Sequence, residues 1–202
     1  MNAAYIRSLK WADWMANAVT DPRALARQIS SHATGFVPAS FFFPLFSAMS
    51  SIVACSLLSS QSGFFFTKVS YGWILLSLAI AGWALLISLL TGLALQFRGV
   101  QPNLRALLTL ANFSQIPGAF LLPAVSIFTV LGFAPALFAV LFIIAAAVWG
   151  AFIIIAGISE LYTLPVGRSA AIYLVPCGAL FLAALVFLIS GAALLAGRLM
   201  TL

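Results

Sequence analysis

Groups able to do acid–base or metal chemistry are scarce in this chain. Of 202 residues, three are carboxylates (Asp13, Asp21 and Glu160) and one is a histidine, His32. A general acid–base pair inside a hydrophobic bundle needs two ionisable groups converging at one depth, and only Glu160 lies beyond the polar first 35 residues. A single histidine supports neither a nucleophile–His–Asp triad nor a His-based metal site. Cys55 and Cys177 each stand in an apolar run without a second Cys or a His nearby, so both read as small buried hydrophobes. There is no glycine-rich phosphate loop. No catalytic, cofactor-binding or metal-ligating residue is therefore expected, and the chain reads as a non-enzyme that needs no cofactor.

Three polar constellations survive this filter. The first is Asn112, Ser114 and Gln115 beside Pro117, within an apolar stretch. Side-chain amides and hydroxyls at membrane depth must find partners, and a proline removes one backbone donor and frees a carbonyl one turn earlier. These residues, with Asn103, are either glue between helices beside a kink or the lining of a polar path. The second is Glu160, followed by Tyr162, Pro165 and Arg168, where Glu160 and Arg168 are expected to form an ion pair across a short turn. The third is the basic arm carrying Arg7, Lys10, Trp11, Trp14, Arg23 and Arg27, suited to lipid headgroups or a docking partner.

The elements that must hold these groups are apolar. Hydrophobic residues make up 64% of the chain and charged residues 6%, against roughly 45–50% and about 25% in soluble domains. Water cannot solvate such a surface, so the fold class expected is an all-α polytopic membrane protein. The nine Lys and Arg give a net charge of +6, but they are scattered between apolar runs, which argues against a nucleic-acid surface.

Residues 1–35 form a cytoplasmic amphipathic arm. Tyr5, Leu9, Ala12, Met15, Ala16 and Val19 fall on one helical arc, with Arg7, Lys10, Asp13, Asn17 and Trp14 opposite, as in a helix lying on the bilayer. Thr20-Asp21-Pro22 reads as a break and a new start, with Asp21 capping and Pro22 in the first turn. Leu25 and Ile29 share one face of that second helix. Residues 36–202 form a transmembrane domain of five spans, at about 37–59, 71–97, 104–128, 135–159 and 169–196, each near the 20 residues that cross the hydrocarbon. Four spans plus a re-entrant segment is the rival count, because Pro117 and Pro123 interrupt the third stretch.

With five spans, Arg7, Lys10, Arg23, Arg27, Arg98, Arg105 and Arg168 fall on one side and Lys68 and Arg198 on the other. Seven against two places the N-terminus in the cytoplasm and the C-terminus outside. Ser47, Ser50, Ser51 and Ala54, Ser88 with Gly92, and Ala193 with Gly197 are small residues at which helices can approach closely.

The order of these features resembles the Yip (Ypt/Rab-interacting protein) domain family. Asp21-Pro22-Arg23 precedes the first span. "GVQPNLRALLTLANFSQIP" from Gly99 to Pro117 has the family's loop-to-third-span pattern, and "VWGAFIIIAGISELYTLPVGRSAA" from Val148 to Ala171 its fourth-to-fifth-span pattern. The resemblance covers about residues 20–195. It implies a cytoplasmic N-terminus, five spans and no catalytic residues. Eukaryotic relatives bind Rab-type GTPases. The chain is closer in style to bacterial relatives, which act as accessory inner-membrane proteins, some beside an ABC-type exporter.

These readings converge on a non-enzymatic scaffold or accessory subunit of a bacterial inner-membrane assembly. Its expected partners are anionic headgroups at the cytoplasmic face and other integral membrane proteins, an ABC-type exporter or a second copy of the chain among them. The alternative is a small transporter or channel using the kinked third span. A lipid-modifying enzyme resting on Glu160, Tyr162 and Arg168 is the remaining reading.

Overall fold

A computed structural model of the chain describes residues 13–31, 36–58, 62–132 and 134–199. Arg7, Lys10, Trp11 and His32 lie outside them. Among the described residues the fold is all helix. Residues 13–20 form α1, and α2 (Pro22–Ser31) completes the arm. The chain then runs through α3 (Phe36–Ser40), α4 (Phe42–Leu58), α5 (Ser62–Gln96), α6 (Leu104–Phe113), α7 (Ile116–Ala119), α8 (Leu121–Val130), α9 (Pro135–Leu161) and α10 (Val166–Leu199).

Five stretches are long and apolar enough to span a bilayer: Val37–Leu58, Tyr71–Gln96, Leu104–Val130, Pro135–Leu161 and Val166–Phe187. Their number is that of the five expected spans. Helix wins throughout because hydrocarbon offers the backbone no partner, and a helix satisfies its own amides and carbonyls. Two helices outrun their spans. α5 begins nine residues before Tyr71, and α10 continues to Leu199 as one 34-residue helix despite Pro176.

The arm differs from expectation. Asp21 does cap α2, its Oδ1 accepting from the Ala24 amide at 3.1 Å, with Pro22 in the first turn. The apolar face of α2, however, turns to protein. Pro22, Leu25, Ala26 and Ile29 are buried, and Leu25 and Ile29 join Ile153, Ile154 and Ile158 of α9 in the main core. In α1 the inward side is Ala18 with Trp14 and Met15, while Ala16 and Val19 are exposed. The described arm is thus a cap seated on one end of the bundle. The helical period gave the stripe on α2, but the rotation of α1 follows from the docking.

The third span is broken twice, at Ser114-Gln115 and at Phe120. Pro117 and Pro123 lack the amides that would bond Phe113 and Ala119, four residues earlier. Around the breaks the backbone tightens into three-residue turns, with Gln115 donating to the Asn112 carbonyl, Gly118 to Gln115 and Phe120 to Pro117. Despite the breaks, the stretch Leu104–Val130 is long and apolar enough to cross a bilayer.

Candidate functional site

Neighbouring spans hold the broken segment in place. The Ser50 hydroxyl of α4 donates to the Ala119 carbonyl at 2.8 Å and accepts from the Leu122 amide at 2.9 Å. The Ala119 carbonyl is the one orphaned by Pro123, so this side chain from another helix closes the gap left in the ladder. On the same face of α4, Ser47 packs directly on Gly118. From the other side α9 brings Gly150 so close that an added Cβ would lie 2.8 Å from the Ser114 carbonyl oxygen. These contacts pin a segment that two prolines would otherwise leave loose.

The pinned break borders a cavity of about 690 Å³ to which all five spans contribute. Ser47 and Ser51 come from α4, Ala79, Ile80 and Trp83 from α5, Ser114, Gln115 and Gly118 from the break. α9 adds Phe142 to Ala151 along one side, and α10 adds Tyr173, Cys177 and Phe181. The alanines and Gly150 of α9 leave the space open. Among the described residues no charged side chain lines it. Its polar groups differ in what satisfies them. Ser51 and Ser114 donate to carbonyls of their own helical segments, and Tyr173 lies beside Cys177. The Gln115 carboxamide, the Ser47 hydroxyl and the Trp83 indole N–H have no protein partner among the described residues.

The expected polar cluster therefore divides. Ser114 and Gln115 reach the cavity, and Pro117 shapes the break. Asn112 does neither. It is fully buried, its Nδ2 donates to the Ser40 Oγ at 2.9 Å, and its Oδ1 has no partner. Asn112 is glue between α3 and α6. Asn103 is also no part of a path: it caps α6, its Oδ1 accepting from the Ala106 amide at 3.2 Å. The cysteines are corrected too, since Cys55 is exposed toward lipid and Cys177 is partly exposed at the cavity.

At the arm's end of the bundle, Glu160 pairs with Arg27 at 3.1 Å and not with Arg168, which is exposed and forms no ion pair among the described residues. The expected pairing relied on closeness along the chain, whereas docking of α2 supplies a cation from 133 residues earlier. The two side chains remain 59% and 29% exposed, so the pair contributes about 0.2–1 kcal/mol and mainly fixes register. Next to it the Tyr162 hydroxyl accepts from the Asn103 amide at 2.9 Å, tying the fourth connection to the second. Burial pushes the Tyr162 phenol above its ordinary range, and the bond from Asn103 opposes that in part. Thr163 follows with φ of 50°, a left-handed conformation unusual for a β-branched residue. The turn is held by Ser159, whose Oγ donates to the Leu164 carbonyl at 2.7 Å.

These links place Arg23, Arg27, Arg98, Arg105 and Arg168, all exposed, at one end of the molecule. Arg23 borders a small cleft of about 260 Å³ formed with Thr20, Asp21, Phe152 and Val166. Trp14 packs on the core beneath the arm.

Sequence reasoning singled out Ser47 and Ser50 only as small packing residues. Nothing in the sequence marked Trp83, Gly150, Tyr173 or Cys177 as neighbours, because only the assembled bundle brings them together. No curated protein and no solved structure matches this chain. The sequence pattern of the Yip1 domain matches it over residues 16–188.

Proposed function

The chain belongs to the Yip1 domain family, and from that premise we propose that it acts as a non-enzymatic scaffold or accessory subunit of a membrane-protein assembly. One observation carries this reading. Residues 181–187 of α10, Phe-Leu-Ala-Ala-Leu-Val-Phe, are exposed on every side. A helix that packs closely on its own bundle hides one stripe, so these two turns of α10 leave apolar surface open to the bilayer on all sides. Leu182, Val186 and Phe187 are each more than 60% exposed. Lipid can cover them, but a second membrane-embedded helix gains close packing there. A transport complex of the ABC-exporter type or a second copy of the chain fits this surface. The cation-rich end faces the cytoplasm of a bacterial inner membrane, where anionic headgroups and the positive-inside bias both favour it.

Photo-crosslinking in native membranes tests the proposal. A benzophenone side chain at Leu182 or Val186 should give a discrete protein adduct, while the same group at the lipid-facing Leu75 of α5 should give lipid adducts alone. Lipid adducts alone at all three positions defeat it.

The cavity beside Gln115 favours a second reading, a small transporter or channel. Solute flux into proteoliposomes, above that of empty liposomes, is its requirement.

A further inference from the structure

We propose that the mid-membrane cavity is a binding site for an uncharged amphiphile dissolved in the bilayer, of the quinone class, with a planar carbonyl-bearing head and an apolar tail.

Its volume of about 690 Å³ falls within the range of about 300–1,000 Å³ usual for small-molecule sites. The chemistry of its wall selects the class. With no charged lining residue among those described, an ionised phosphate or carboxylate would be buried there without a counter-charge, at prohibitive cost. The free groups are neutral and include three sources of donors: the Gln115 carboxamide, the Ser47 hydroxyl and the Trp83 indole. An unpartnered donor at membrane depth is expensive, and carbonyl oxygens on a guest would satisfy it. Trp83, Phe142, Tyr173 and Phe181 supply flat apolar faces for a ring. The opening is lateral. Trp83, Leu174 and Phe181 at the rim are 45%, 51% and 68% exposed, at span positions that lipid surrounds. The guest therefore enters from the hydrocarbon and leaves its tail there.

Decylubiquinone is a direct probe, because quinones quench tryptophan fluorescence on contact. The full chain is reconstituted in nanodiscs of synthetic phosphatidylcholine and titrated with the quinone. The expected result is a saturable quenching phase in the native chain, superimposed on the linear quenching due to partitioning. That phase should disappear in Trp83→Phe. It should shift to about tenfold higher quinone in Gln115→Leu, which removes the hydrogen bond to the guest and no bond within the protein. Ala146→Phe, which fills the cavity, should abolish it, and its thermal unfolding reports whether the bundle is intact. Decanoate and phosphatidic acid should not displace the quinone. Purely linear quenching in the native chain overturns the proposal. So does an unchanged saturable phase in Gln115→Leu, or displacement by either anionic lipid. None of these results bears on the crosslinks of α10, so the assembly reading stands or falls separately.

Discussion

Ser50 and Asn112 are both buried polar residues of the bundle, yet their removal should have unequal costs. The Ser50 hydroxyl satisfies two backbone groups at the Pro123 break, a carbonyl and an amide. Ser50→Ala leaves both unpaired in an apolar interior, and the expected loss is about 1–3 kcal/mol, read as a lower unfolding midpoint in micelles. Asn112 donates to a Ser40 hydroxyl that already donates to the Val37 carbonyl, while its own Oδ1 is unpartnered. Asn112→Leu removes that unpaired oxygen and strands nothing, so its cost should stay below about 1 kcal/mol in the same measurement. A larger loss for Asn112→Leu than for Ser50→Ala would contradict the hydrogen bonding described. Tyr162 carries a pH signature. Its raised phenol pKa means that the folded chain holds this proton more tightly than the unfolded chain does. The stability it contributes is complete below the ordinary phenol pKa of about 10 and is lost as pH rises through and beyond that value. Above pH 10 the native chain should lose thermal stability more steeply than Tyr162→Phe. At this scale the sequence was least readable. Glu160 was evident as a group needing a cation, but residue spacing favoured Arg168, and the choice of Arg27 rests on a contact across the whole fold.

Among the elements, the spans were legible and the arm was not. Continuous apolar runs between short connections have one solution in hydrocarbon, so the bounds of the first four spans fall within about three residues of expectation. The double break in the third span was also visible, because Pro117 and Pro123 act on the backbone wherever they stand. What repairs the break was not visible, since a serine on another helix gives no local sign. The arm was misjudged for a related reason. An amphipathic stripe shows that one face is buried without showing whether lipid or protein buries it. Leu25 is fully buried between α2 and the bundle, so Leu25→Ala should cost about 2–5 kcal/mol. Amide exchange should quicken in α2 before it does in the spans. An arm resting only on lipid would show no such order, and its amides would exchange rapidly in the native chain as well.

At the level of the whole molecule, the cavity appears in no single stretch of sequence. Its wall draws on five spans, and its openness depends on alanines and a glycine in α9 that a linear reading takes for ordinary apolar composition. The lengths of the spans have a separate consequence. The second, third and fourth comprise 26, 27 and 27 residues. At 1.5 Å per residue the middle three measure about 39–40 Å end to end, against about 30 Å of hydrocarbon. The bilayer and these rods are mismatched, and the difference must be met by tilt or by stretching of the surrounding acyl chains. Melting temperature should accordingly rise when dimyristoyl phosphatidylcholine is replaced by lipids with eighteen- to twenty-carbon chains. In a membrane of uneven thickness the protein would then gather where the leaflets are thickest, and other proteins of similar reach would gather with it.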